Sequence, residues 1–129
     1  MEQEAIKFVD GGVCAAKGFT ANGLHTGLSK NPNKNDVGII YSEKSCTTAA
    51  VYTQNKVKGS PIIVTQKNIA DGKAQAIIVN STNANTCNAD GEEKAAKMCE
   101  LAGKAMGVKA SDVIVASTGV IGQILNIKP

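Results

Sequence analysis

Ser117, Thr118 and Gly119 are the residues whose types and spacing best suit chemistry. They follow an apolar run, Val113-Ile114-Val115, that reads as a buried strand. A hydroxyl pair and a glycine therefore emerge together at a strand end. Gly119 has no Cβ, so another group can come close to its N–H. The Thr118 hydroxyl stands beside it. Two adjacent donors suit an oxygen that gains negative charge during a reaction, which makes Thr118 and Gly119 the candidate catalytic pair. The same residues also suit an ordinary strand-to-helix turn, with Ser117 or Thr118 capping a following helix. Both readings stand at this level.

A second polar cluster follows another apolar run. Residues 80–88 read Asn-Ser-Thr-Asn-Ala-Asn-Thr-Cys-Asn after Ala76-Ile77-Ile78-Val79. Short amide side chains favour a loop that folds on its own backbone, and such a loop either lines a polar site or is simply a well-bonded turn. His25 is the sole histidine, with no Ser-His-Asp order around it, and reads as an ordinary polar side chain rather than a general base. The cysteines, Cys14, Cys46, Cys87 and Cys99, form no CxxC pair for zinc or redox work and read as reduced thiols. Their even number also admits disulfide pairing. Neither GxxxxGK[ST] nor GxGxxG occurs, so no nucleotide-cradling loop is indicated, and no cofactor site is expected.

Composition narrows the class further. The 129 residues are 43% hydrophobic, enough for one domain with a modest core. Aromatics contribute only 3%, with no Trp, so Val, Ile, Leu, Ala and Met must fill that core. The net charge of +3 is scattered, and no basic stripe with interleaved aromatics points to nucleic acid. No apolar run approaches the roughly 20 residues of a membrane span. The start Met1-Glu2-Gln3-Glu4 lacks the basic and apolar regions of a secretory signal, so a cytoplasmic location is expected.

The elements that must position these residues follow from periodicity. Strands are expected at 76–79 and 113–115, with a helix over 90–106 between them. Asp90 suits an N-cap, with Glu93 completing a capping box. Ala95, Met98, Cys99, Ala102, Ala105 and Met106 share one helix face, Glu100 and Lys104 form an i,i+4 pair, and Gly107 closes the helix. This is a βαβ-like unit. Earlier strands are expected at 4–10 (an edge), 16–28 (a glycine-broken strand or hairpin), 37–41, 47–53 and 61–66, with one helical turn in 67–72. The expected fold class is α/β (α+β): a mixed β-sheet with helix cover, forming a single domain over 1–129.

Several motifs stand in one order and at one spacing: Gly18-Phe19, Asp36-Val37-Gly38-Ile39-Ile40, Thr53-Gln54-Asn55, Pro61-Ile62, Val79-Asn80-Ser81, Asn83-Ala84-Asn85-Thr86-Cys87 and Ala116-Ser117-Thr118-Gly119-Val120-Ile121-Gly122. Together, from about Phe8 onward, they resemble the amino-terminal part of the bifunctional glutamate N-acetyltransferase/ornithine acetyltransferase of arginine biosynthesis. The resemblance implies acetyl transfer from N-acetylornithine to glutamate, with acetyl-CoA a further co-substrate in some members. It implies a precursor that cuts itself into α and β chains, a nucleophilic threonine at the new β-chain terminus, and an α2β2 heterotetramer. It also implies that the Thr118 hydroxyl and the Gly119 N–H bind the acetyl oxygen as it becomes anionic.

The sequence departs from that pattern in extent. No segment resembles the self-cleavage motif, so the chain reads as the N-terminal portion of a truncated α chain, with the nucleophile and most substrate contacts elsewhere. Isolated, it is expected to be inactive and, where strands lack their partners, to self-associate. A rival reading is a small binding or scaffold domain whose Asn-rich loop serves a partner. An amidohydrolase reading is weaker, because no nucleophile–base pair is present.

Overall fold

The computed structural model describes residues 6–128. Four strands, β1 (Phe19–Leu24), β2 (Val37–Thr47), β3 (Lys73–Asn80) and β4 (Val113–Ser117), form one sheet in the order β1-β2-β3-β4. Two helices accompany them, α1 (Ser60–Asn68) and α2 (Gly91–Met106). β1, β2 and β3 pair antiparallel, whereas β3 and β4 pair parallel. A parallel pair needs a long crossover, and α2 supplies it. The expected mixed sheet and its βαβ unit are both present.

Burial alternates along β3, with Ala74, Ala76, Ile78 and Asn80 buried. α2 lays Ala95, Met98, Cys99 and Ala102 toward this core, where Ala76, Ile78, Val113 and Val115 are also buried. That spacing is the stripe expected of an amphipathic helix. Leu125, from the segment after β4, joins the same cluster and is 1% exposed. The helix ends as expected at Gly107, whose φ of 71° places it in the left-handed region and whose N–H bonds the Gly103 carbonyl. Residues 61–66 lie in α1 rather than in the expected strand. Ile62-Ile63-Val64 is locally strand-like, but Pro61 suits a first helical turn, where its missing N–H has no intrahelical role. Tertiary contacts then decide the outcome. Val64 is buried in the core, and Thr65 meets the free edge of β4. Its hydroxyl donates to the Val115 carbonyl (3.0 Å) and accepts the Val115 N–H (3.1 Å). Asn68 Nδ2 donates to the Val113 carbonyl at 2.8 Å. The β4 edge is thus occupied by side chains, so the expectation of open edges does not hold there.

Other boundaries also move. The expected strand at 47–53 is absent apart from Thr47, which ends β2. β2 pairs with β3 as far as Thr47 opposite Lys73, where β3 begins, and beyond it only the Thr48 N–H bonds across, to the Gly72 carbonyl (2.8 Å). Val51 is accordingly 98% exposed. Within 16–28 there is one strand, β1, with no internal hairpin. Lys67 and Asn68 finish α1, and a turn closed by the Gly72 N–H on the Ile69 carbonyl (2.9 Å) follows it. The expected strand at 4–10 falls partly outside the described residues, and 6–10 is not strand.

At the start of α2, neither Asp90 nor Glu93 caps. The Asp90 side chain makes no cap bond, and its carboxylate lies 4.0 Å from Lys94 Nζ. Glu100 pairs with Lys97 at 2.8 Å rather than with Lys104. All four cysteines are free thiols, which excludes the disulfide alternative; Cys99 is buried, as its helix face requires.

Candidate functional site at one end of the sheet

The register sets Leu24, Val37, Asn80 and Ser117 in one row across the sheet. β1, β3 and β4 all run toward this end, and β2 starts from it. His25, Asp36, Ser81 and Thr118 are the next residues outward along each strand.

β4 stops at Ser117, and no helix follows among the described residues, so Ser117 and Thr118 are not helix caps. Instead, residues 118–122 run beside 82–86. The Thr118 N–H bonds the Asn80 carbonyl (3.0 Å), the Val120 N–H the Thr82 carbonyl (3.1 Å), the Ala84 N–H the Val120 carbonyl (2.9 Å) and the Gly122 N–H the Thr86 carbonyl (3.0 Å). Asn83 and Val120 form a parallel bridge. Gly119 lies between two bonded amides with φ 133°, a conformation other residues rarely adopt. A Cβ there would collide with the Thr82 carbonyl group and stand 2.7 Å from Asn83 N. Position 119 therefore requires glycine. Thr118 and Gly119 are both exposed, and neither the Thr118 hydroxyl nor the Gly119 N–H has a partner among the described residues.

The Asn-rich loop is the well-bonded turn that its composition suggested, and it also forms the wall against which Gly119 packs. Asn80 is fully buried. Its Oδ1 accepts the N–H groups of Thr82 (3.2 Å) and Asn83 (3.0 Å), and its Nδ2 donates to Ser117 Oγ (2.7 Å). Asn83 Oδ1 accepts the Asn85 N–H (2.7 Å), while its Nδ2 donates to the Gln123 carbonyl (2.9 Å). Asn85, with φ 49°, donates from Nδ2 to the Gly91 carbonyl at 2.8 Å and so ties the loop to α2.

Further along the same end lies a charged cluster. Asp36 is buried, and its carboxylate accepts the Thr26 N–H (2.7 Å), the Thr26 hydroxyl (2.8 Å) and the Ser29 N–H (2.8 Å). Burial alone would raise this carboxyl, but those donors and neighbouring His25 outweigh it and hold the group well below the usual carboxylate range. His25 Nδ1 is 2.9 Å from the Lys34 carbonyl and 3.1 Å from Asp36 Oδ2. Lys34 Nζ donates to the Ser81 carbonyl at 2.8 Å. His25 thus packs as an ordinary polar side chain just past the end of β1, a strand about 14 Å from β4 at the usual interstrand spacing.

Sequence patterning did not single out Asp36 or Asn80 as organising residues. The available signal was positional: each is a short polar side chain at the junction of a dense apolar run and a polar loop. No group of three His, Cys, Asp or Glu side chains among the described residues could hold a metal ion, and no helix is long and apolar enough to cross a membrane.

Comparison with known proteins gives the family. Residues 20–129 match the model of the ArgJ family. The chain is 42% identical over 130 residues to the arginine biosynthesis bifunctional protein ArgJ of Bacillus licheniformis, covering 99% of this chain and 32% of that protein. It is 40% identical over 118 residues to the protein of that name from Caldanaerobacter subterraneus, covering 91% and 29%. The chain therefore spans about a third of the length of these curated relatives. Its fold superposes on the crystal structure of the Bacillus halodurans protein with a TM-score of 0.84 at 44% identity, covering 89% of this chain and 60% of that one. Against the ornithine acetyltransferase of Mycobacterium tuberculosis, solved in complex with ornithine, the TM-score is 0.78 at 31% identity, covering 88% and 62%. A match running from β1 through the Thr118-Gly119 segment, in sequence and in fold alike, makes this chain a member of the ArgJ family.

Proposed function

We propose that this chain forms the oxyanion-binding part of an enzyme that moves an acetyl group from N2-acetyl-L-ornithine to L-glutamate in arginine biosynthesis. The nucleophilic threonine lies outside these residues, on a β chain released from the same precursor, and the two chains assemble as an α2β2 heterotetramer in the cytoplasm. Acetyl-CoA is a second acetyl donor on this reading. The carrying observation is the unpartnered, exposed pair of donors at Thr118 and Gly119. The names of the relatives, arginine biosynthesis bifunctional protein and ornithine acetyltransferase, supply the reaction class.

The chemistry follows from that pair. When a hydroxyl adds to the acetyl carbon, the C=O π electrons move onto oxygen. The Thr118 O–H and the Gly119 N–H donate into this charge. Collapse of the adduct, with the hydroxyl proton passed to the amine nitrogen, expels ornithine and leaves an acetyl ester. The glutamate amine then adds at the same place, and collapse of this second adduct gives N-acetylglutamate and returns a proton to the threonine oxygen. Fixed donors stabilise both adducts more than the neutral carbonyl, which lowers the barrier.

The test uses the full-length protein that carries this chain. Thr118→Ala should lower kcat by about 10²–10³-fold while substrate binding persists, the usual cost of one oxyanion donor. Unchanged turnover removes Thr118 from the mechanism. Residues 1–129 alone should give no turnover with N-acetylornithine and glutamate, and measurable transfer by them would overturn the division of labour between chains.

A further inference from the structure

Gly119 offers a free N–H because its two neighbours are tied down, one to the backbone of Asn80 and the other, through Thr82, to the Asn80 side chain. The Thr118 N–H is held by the Asn80 carbonyl. The Val120 N–H is held by the Thr82 carbonyl, and Thr82 is itself held by its N–H to Asn80 Oδ1. Asn83, whose backbone N faces the place where a Gly119 Cβ would stand, is fastened to the same oxygen. On the other side, Asn80 Nδ2 donates to Ser117 Oγ, immediately before Thr118. Asn80 is 0% exposed, so no solvent competes for these bonds.

We infer that Asn80 is the positioning residue of the oxyanion site, holding the 82–83 backbone and Ser117 so that the Gly119 N–H and the Thr118 hydroxyl stand ready without rearrangement. This rests on the proposed function above and adds to it a residue that touches no substrate. The physical argument concerns preorganisation. Donors fixed before reaction stabilise developing charge without reorganising, and a displacement of about 1 Å costs about 10²-fold in rate. An amide is the side chain that fits here. It accepts two N–H groups at one atom, donates from the other and carries no charge. A carboxylate has the same shape and both acceptor sites, but it would place negative charge beside an oxygen that must itself become negative.

The experiment compares variants in the full-length protein with N-acetylornithine and glutamate. Asn80→Ala should lower kcat by about 10²-fold with KM changed by less than about threefold. Asn80→Asp retains the shape and both accepted bonds, so it should fold where Asn80→Ala does not. It should lower kcat at least as much, with a partial recovery at low pH as the carboxyl protonates. Asn68→Ala is the control, because the Asn68 amide also holds backbone, donating to the Ala110 and Val113 carbonyls, but at the far end of β4 from the oxyanion turn. It should lower the thermal midpoint as Asn80→Ala does, yet leave kcat within about threefold. Thr118→Ala separates the two readings. If it loses turnover while Asn80→Ala, or the apolar isostere Asn80→Leu, retains it, the positioning role is wrong and the oxyanion site stands. If Asn68→Ala lowers kcat as far as Asn80→Ala, the effect is general packing and the inference also fails. If Thr118→Ala retains turnover, the underlying reading falls first.

Discussion

Replacing Thr65 with valine tests whether a side chain closes the β4 edge. Valine has the size and branching of threonine, so Thr65→Val leaves no cavity and removes one oxygen atom. That atom makes two bonds, to the carbonyl (3.0 Å) and the N–H (3.1 Å) of Val115. Thr65 is 7% exposed and Val115 3%, so water does not readily replace the hydroxyl. An unpaired buried backbone group costs about 1–3 kcal/mol, so the pair should cost about 2–6 kcal/mol. The total stability of a domain is about 5–15 kcal/mol. Thr65→Ser is the counterpart: it keeps the oxygen and loses a methyl group, worth about 1 kcal/mol. Urea unfolding followed by circular dichroism gives both values, provided the m-value is unchanged. Thr65→Val should be the weaker protein by at least about 1 kcal/mol and, with the edge backbone released, the more prone to associate in light scattering. Equal stability of the two variants, or a weaker Thr65→Ser, refutes the assignment of edge closure to the hydroxyl.

Three further outcomes are expected. Gly119→Ala forces a side chain into φ 133° and against the Thr82 carbonyl; thermal unfolding should show a loss of at least about 1–3 kcal/mol, and full-length turnover should fall with it. Asp36 has a lowered folded-state pKa, so its stabilisation is whole above its unfolded value near 3.9 and is lost as the pH falls below that. Urea midpoints measured from pH 5 to pH 2 should therefore drop more steeply for wild type than for Asp36→Asn, which should be weaker at pH 7. Burial pushes the Cys99 thiol up to about 11, against a smaller opposing effect of the Asn68 amide, whereas Cys14 and Cys87 are exposed. Maleimide at pH 8 should modify Cys14 and Cys87 in the folded protein and spare Cys99 until urea is added.

The parts of this fold that were legible in the sequence are those in which local pattern and tertiary role agree. The stripe Ala95, Met98, Cys99, Ala102 gives a helix because one face packs on a sheet, and β3 and β4 read as strands because their apolar runs bury one face and half-bury the other. Where the two levels disagree, the sequence misleads. Ile62-Ile63-Val64 has strand propensity, yet the helix wins because it places Thr65 and Asn68 on the β4 edge, a gain visible only once β4 is in place. Residues 48–53 have strand composition and no strand to pair with. The Thr118-Gly119 pair was legible because glycine beside a hydroxyl is a chemical signal in its own right. Its dependence on Asn80 was not, since that connection crosses the sheet between residues 37 positions apart.

That separation shapes the order in which the molecule can be assembled. Residues 82–86 and 118–122 lie side by side only after the polypeptide between them has folded back as α2 and β4 has found β3. The donor pair is consequently a late product of folding, absent from any species in which the crossover has not docked. A collapsed intermediate can contain both segments and still lack the Thr118 hydroxyl and the Gly119 N–H side by side, so formation of that pair marks completion of the βαβ unit.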